Sequence, residues 1–142
     1  MAGRRRARRQ AIEICYQADV LGEHPMEVLE TWEEAGRKVS PFARELVAGV
    51  AENREELDRL IAAHSEGWSL ARMPSVDRTI LRVACYELLH RPDVPPAVAI
   101  DEAVEAVKEL STEDSGRFVN GVLGAIAREL AGTERGPGST SG

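Results

Sequence analysis

Apolar residues recur every three to four positions along nearly the whole chain, and strict alternation is absent. The first stretch predicts a helix from about Arg4 to Val20 that stops near Gly22, with Ala11, Ile14, Cys15, Ala18 and Leu21 on one stripe. A shorter helix is expected from after Pro25 to near Gly36. Ser40-Pro41 reads as a cap followed by a first turn. It opens a long helix through Phe42, Leu46, Val50, Leu57, Leu60 and Ile61 that ends before Gly67. Gly49 interrupts that helix at a cost in propensity, which points to close packing there.

The second half continues in the same style. Trp68 to Met73 reads as a short helical turn ended by Pro74, and Ser75 as the cap of a helix carrying Val76, Ile80, Val83, Ala84, Leu88 and Leu89. Pro92 and Pro95-Pro96 bracket a tight connection. The next helix turns Ile100, Ala103, Val104, Val107 and Leu110 inward, with Glu105 and Lys108 spaced to pair outside. Ser111-Thr112-Glu113-Asp114 has capping-box spacing and opens a last helix through Phe118, Val122, Leu123 and Ile126.

This pattern defines an all-α protein of about seven helices in one domain, residues 1–131, with two packed helical halves, about 1–66 and 67–131. The Gly/Ser/Thr/Pro-rich segment 132–142 is expected to be disordered. A chain that is 43% hydrophobic and 30% charged suits a globular protein, and no apolar run approaches a membrane span. Cys15 and Cys85 stand alone in helical patterns without CxxC spacing, so they read as buried small hydrophobes of a reducing, cytoplasmic compartment.

Charge changes the picture. The chain has 18 basic and 24 acidic residues, yet Arg4, Arg5, Arg6, Arg8 and Arg9 crowd its first nine positions. Guanidinium groups match phosphate oxygens in sign and geometry, so the block suggests a nucleic-acid-binding segment on an acidic body. On a helical wheel Arg4, Arg8, Arg5 and Arg9 fall at about 0, 40, 100 and 140°, with Tyr16 at about 120°. Cations beside an aromatic ring suit phosphates and unstacked bases. Like charges at this spacing also oppose helix formation when no anion is present, so an ordered flank and a disordered arm both remain open.

Other polar residues have blander readings. Asp77 and Asp114 are acids near helix starts, Phe118 has core periodicity, and Asn120 needs partners if it is buried. His24, His64 and His90 are scattered, and no nucleophile motif, P-loop or metal-ligand spacing appears. The expectation is a binding protein that uses no cofactor and no metal, not an enzyme.

Residues from one end to the other resemble the NusB family. Arg4–Arg9 followed by an apolar helix with Tyr16 is similar to the family's opening, as is Arg44-Glu-Leu-Val-Ala-Gly-Val50. Further matches are Val76-Asp-Arg-Thr-Ile-Leu-Arg82, Tyr86-Glu-Leu88, Asp93-Val-Pro95 and Ala99-Ile-Asp-Glu-Ala103. The most specific is Glu113-Asp-Ser-Gly-Arg-Phe-Val-Asn-Gly-Val-Leu123, and the resemblance spans about residues 4–130.

The resemblance implies an all-helical transcription antitermination factor of two packed subdomains. It would bind boxA RNA of ribosomal RNA operons together with NusE, a small-subunit ribosomal protein, within an RNA polymerase complex that includes other Nus factors. Some members form homodimers, which leaves monomer and homodimer open. It implies RNA-binding roles for Arg4, Arg5, Arg6, Arg8, Tyr16, Asp77 and Phe118, and partner-interface or RNA-adjacent roles for Asp114 and His64. Some members have a tyrosine where this chain has His64, and a glutamate is common where Asp77 stands. Two rivals are an RNA-targeting domain like that preceding a ribosomal RNA cytosine methyltransferase, for which a following cofactor domain is wanting here, and a helical protein-interaction module without RNA.

Overall fold

In the computed structural model, backbone is described for residues 2–141 and side chains for residues 3–132. Seven α-helices follow in order: α1 Ala2–Leu21, α2 Pro25–Glu34, α3 Pro41–Glu52, α4 Arg54–Ala63, α5 Ser75–His90, α6 Pro96–Leu110 and α7 Glu113–Ser141. A 3-10 turn, Leu70–Arg72, lies before α5. The expected disordered tail, 132–142, falls almost wholly outside the described side chains.

The predicted long third helix is two helices. At Asn53 the side-chain amide donates to the Gly49 carbonyl at 2.8 Å, and the backbone N–H donates to the same oxygen. Asparagine thereby offers the chain an alternative to the helical ladder, and α4 restarts at Arg54. Two cap assignments also shift. Ser75 is the first residue of α5 and donates its hydroxyl to Asp19 instead of capping, while Pro74 occupies the cap position. The last helix is capped by Thr112, not Ser111, since Thr112 Oγ1 accepts the Ser115 amide at 3.0 Å. Asp114 is therefore no capping-box acid.

α5 organises the rest. It packs against α1, α3, α4, α6 and α7, and ten of its sixteen residues are buried. The helices α1–α4 form one group, α6 and α7 pack on each other, and α5 lies against both. One apolar cluster runs from Ala7 to Ile126. On α6 the inward face is Ala99, Ala103, Ala106 and Val107; Ile100 and Val104 are half-buried, and Leu110 is exposed. Short alanine side chains let α6 approach its neighbours closely. Leu21, placed on the buried stripe by its spacing, is also exposed, because α1 ends there. Asn120 faces solvent and needs no buried partner. Lys108 Nζ lies 3.8 Å from Glu113, not against Glu105. Both cysteines are buried free thiols, and loss of hydration pushes each up to about 12, so they stay protonated as packing groups.

Gly49 has the close contact its position suggested. A Cβ there would sit 2.2 Å from Tyr86 Cε1, so the Tyr86 ring packs directly on the bare backbone of α3. Replacing Gly by Ala in a helix gains about 1 kcal/mol of propensity, whereas forcing a methyl into a packed core costs about 1–3 kcal/mol. Gly49→Ala is expected to lower the thermal midpoint by several degrees in a circular-dichroism melt; a raised midpoint would mean that Tyr86 moves aside freely.

Candidate nucleic-acid interface

The arginine block is the start of α1, and most of it is docked. Arg4 pairs with Asp93 at 3.3 Å, Arg5 meets both carboxylate oxygens of Glu102 at 3.1 and 3.2 Å, and Arg9 pairs with Glu109 at 2.8 Å. These acids stand on α6 and on the link before it. The repulsion between like charges along α1 is thus answered within the molecule, and the block is helical without any added anion.

Arg8 is the correction to the expected set of phosphate-gripping cations. It is only 7% exposed, and its Nε and Nη2 donate to Glu87 at 2.9–3.1 Å, with Glu87 itself 1% exposed. A guanidinium held in this way by a buried carboxylate on α5 is spent mainly on seating α1 and is largely shielded from solvent. The buried side of α1 therefore extends through Ala7 and Arg8, nearer to the N-terminus than the apolar stripe indicated. The Phe42 ring sits beneath this cluster, with the guanidinium carbons of Arg4, Arg91 and Arg8 at 4.4, 5.0 and 5.5 Å from its centroid. The bond from Arg91 holds the Asp93 carboxyl far below its ordinary range, and the bond from Arg9 lowers Glu109.

A second charged knot locks α1 to α5 at its far end. Asp19 accepts from Ser75, Arg78 and Arg82, and Arg82 reaches on to Asp58 of α4 at 2.7 Å. Burial by itself would raise the Asp19 carboxyl, but the hydrogen bonds from Ser75 and Arg78 and the two arginine charges outweigh it and hold it below its ordinary value.

The outward side of α1 forms one wall of an open groove of about 1100 Å³. Arg5, Arg6 and Arg9 line it from α1, with the acids Glu13 of α1 and Glu109 of α6, and Arg37 and Lys38 line it from the α2–α3 link. Arg6 is exposed, with no ion pair among the described residues. Tyr16 is exposed farther along α1 and lines neither this groove nor the cleft described next.

The remaining candidates gather elsewhere. Asp77, Asp114 and Phe118 line a cleft of about 230 Å³ with Trp68, Met73 and Ser115. Asp77 is buried: its Oδ2 accepts from Ser115 at 2.7 Å, and its Oδ1 has no partner among the described residues. Phe118 is half-buried and meets Trp68 edge to face at 6.2 Å, while Trp68 is 53% exposed. Asp114 is exposed and pairs with Arg117. His64 caps α4, sits 3.1 Å from Glu129, and lines an adjoining hollow together with Trp68 and Phe118. The structure thus divides the expected site residues between a cationic groove on α1 and an aromatic, acidic cleft between α5 and α7.

Two features escaped the sequence. Glu87 is a lone acid within an apolar helical run, a signal that a buried cation must come from another element. Arg37-Lys38 directly follows the expected stop at Gly36, but nothing local shows that the pair folds against α1.

A helical domain with a cationic groove on α1 and an aromatic cleft between α5 and α7 has the features of an all-α nucleic-acid-binding protein. The NusB family model matches residues 5–128. The transcription antitermination protein NusB of Saccharopolyspora erythraea is 53% identical, covering 89% of this chain and 88% of the relative. That of Symbiobacterium thermophilum is 44% identical, covering 91% and 92%. Among solved structures, T. maritima NusB superposes with a TM-score of 0.80 at 40% identity, covering 89% of this chain and 91% of the other. A structure of the antitermination factors NusB and NusE in complex with dsRNA gives a TM-score of 0.80 at 34% identity, covering 91% and 98%. The chain belongs to the NusB family.

The buried pair generates a test. Removing one partner of a buried ion pair costs about 3–5 kcal/mol, whereas replacing both by apolar groups is often neutral. Glu87→Ala is expected to be strongly destabilised in urea titration, and Arg8→Met with Glu87→Leu to recover most of the loss. If the double variant were no better than the single, the pair would not be the unit that matters.

Proposed function

We propose that this chain is a transcription antitermination factor that binds boxA RNA of ribosomal RNA operons together with NusE. The observation that carries this reading is the cationic groove built on the segment that opens the NusB match, on a chain 53% identical to a protein of that name. Support for the partners comes from the related structure that holds NusB, NusE and RNA together. The reading extends to assembly with RNA polymerase and other Nus factors and to a cytoplasmic location. None of the described helices is long and apolar enough to cross a membrane. Among the described residues no cluster of His, Cys, Asp or Glu suits a metal.

Arg4, Arg5 and Arg6 hold phosphates, while Arg8 acts at one remove by seating the helix that carries them. Tyr16 offers a ring to a base. In the α5–α7 cleft, Phe118 contacts RNA, buried Asp77 acts indirectly by holding Ser115, and Asp114 and His64 lie at the edge shared with NusE. Arg5 is bound to Glu102 in the free protein, so a phosphate has to compete with a carboxylate for it. That competition disfavours casual nucleic-acid contacts, which lack the further interactions needed to overcome it. Joining the weak surfaces of two proteins on one RNA raises the apparent affinity without new chemistry.

Arg4→Ala, Arg5→Ala and Arg6→Ala combined should leave the helical circular-dichroism signal intact and weaken boxA RNA binding by at least about tenfold in fluorescence anisotropy at low salt, with a shallower salt dependence. NusE should tighten boxA binding by the wild-type chain. Unchanged RNA affinity in the variant would favour an interaction module without RNA.

A further inference from the structure

We infer that Arg37 and Lys38, on the link between α2 and α3, form a second phosphate subsite that carries single-stranded RNA beyond the arginine block. This inference rests on the reading of α1 as an RNA surface. Charge on the opposite wall of the groove points to it first. Arg5 and Arg9 are each engaged by a carboxylate, whereas Arg6, Arg37 and Lys38 have no ion pair among the described residues. The groove's uncompensated positive charge therefore lies on Arg6 and across from it, not along the paired arginines.

The subsite is also built in advance. α2 ends in a Schellman motif: Gly36, at φ +87°, donates its N–H to the Glu33 carbonyl at 3.0 Å, and the Arg37 N–H reaches the Trp32 carbonyl at 3.0 Å. That turn lays the Arg37 guanidinium over the Trp32 ring, 3.4 Å from its centroid. Trp32 is buried and donates its indole N–H to Gln17 of α1 at 3.2 Å, so the platform is fixed. Next along the link, Gln10 of α1 clamps the backbone on either side of Val39. Its Nε2 donates to the Lys38 carbonyl at 2.6 Å, and its Oε1 accepts the Ser40 N–H at 3.2 Å. The link is thus pinned to the helix that carries Arg5, Arg6 and Arg9. A guanidinium seated over an indole leaves donors for a phosphate oxygen, and a planar cation also suits an unstacked base.

The test is a salt series of anisotropy titrations with a fluorescein-labelled, single-stranded boxA RNA carrying its natural flanks. Arg37→Ala with Lys38→Ala is expected to bind on the order of tenfold more weakly at low salt. The slope of log affinity against log salt should fall by about 1.4, two phosphates' worth for a single strand. Arg37→Lys, which keeps the charge, should retain the slope, an outcome a merely structural role would not give. Unchanged affinity and slope in the double variant, with Arg6→Ala weakened, would overturn this subsite and leave the arginine-block reading standing. If Arg6→Ala and the double variant both matched wild type, both readings would fall. A double variant that lost NusE affinity but kept RNA affinity would assign these cations to the protein partner and overturn the inference.

Discussion

A buried carboxylate decides how this protein displays its positive charge. Glu87 lies on the central helix, almost wholly inside, and holds Arg8 through hydrogen bonds from both Nε and Nη2. Two desolvated charges of this kind are tolerable only together. The pair therefore dictates that the start of α1 lies on α5 in one register. With Arg8 fixed, Arg4, Arg5 and Arg9 reach Asp93, Glu102 and Glu109, while Arg6 is turned outward. At the other end of α1, the Asp19 knot with Arg78 and Arg82 fixes the same helix to the same neighbour.

Much of this architecture was legible in the sequence, because helical periodicity and caps are local signals. The stop near Gly22, the Ser40-Pro41 start and the close packing at Gly49 all follow from residue types a few positions apart. Two of the errors involve a side-chain hydrogen bond. Asn53 splits a periodic run through its own side chain, and Ser75 gives its hydroxyl to Asp19 rather than to its helix. The first bond is local but competes with the helical ladder; the second is set by a residue 56 positions away. The site was legible in outline only. A wheel places Arg8 among the outward cations because it counts angles and cannot see Glu87, 79 positions away. Arg37 and Lys38 join the groove through a turn and a glutamine clamp that no spacing rule reveals.

The acidic balance of the chain takes on a specific meaning in this light. Its carboxylates are not merely a solvated surface; those facing α1 neutralise the block that would otherwise repel itself. On the proposed function, an ordered, partly neutralised cationic helix would bind weakly to any polyanion and better to one that also meets Arg6, the opposite groove wall and a partner protein. Selectivity would then come from how many contacts an RNA can make at once, not from the strength of any single arginine.

The central claim is that α1 is seated on α5 before any RNA arrives. Hydrogen exchange of the RNA-free protein, read amide by amide, addresses it directly. The account predicts that amides from Ala7 to Ile12 are protected to an extent comparable with the middle of α5. Exchange of those amides at unstructured rates, slowed only when RNA is added, would contradict it.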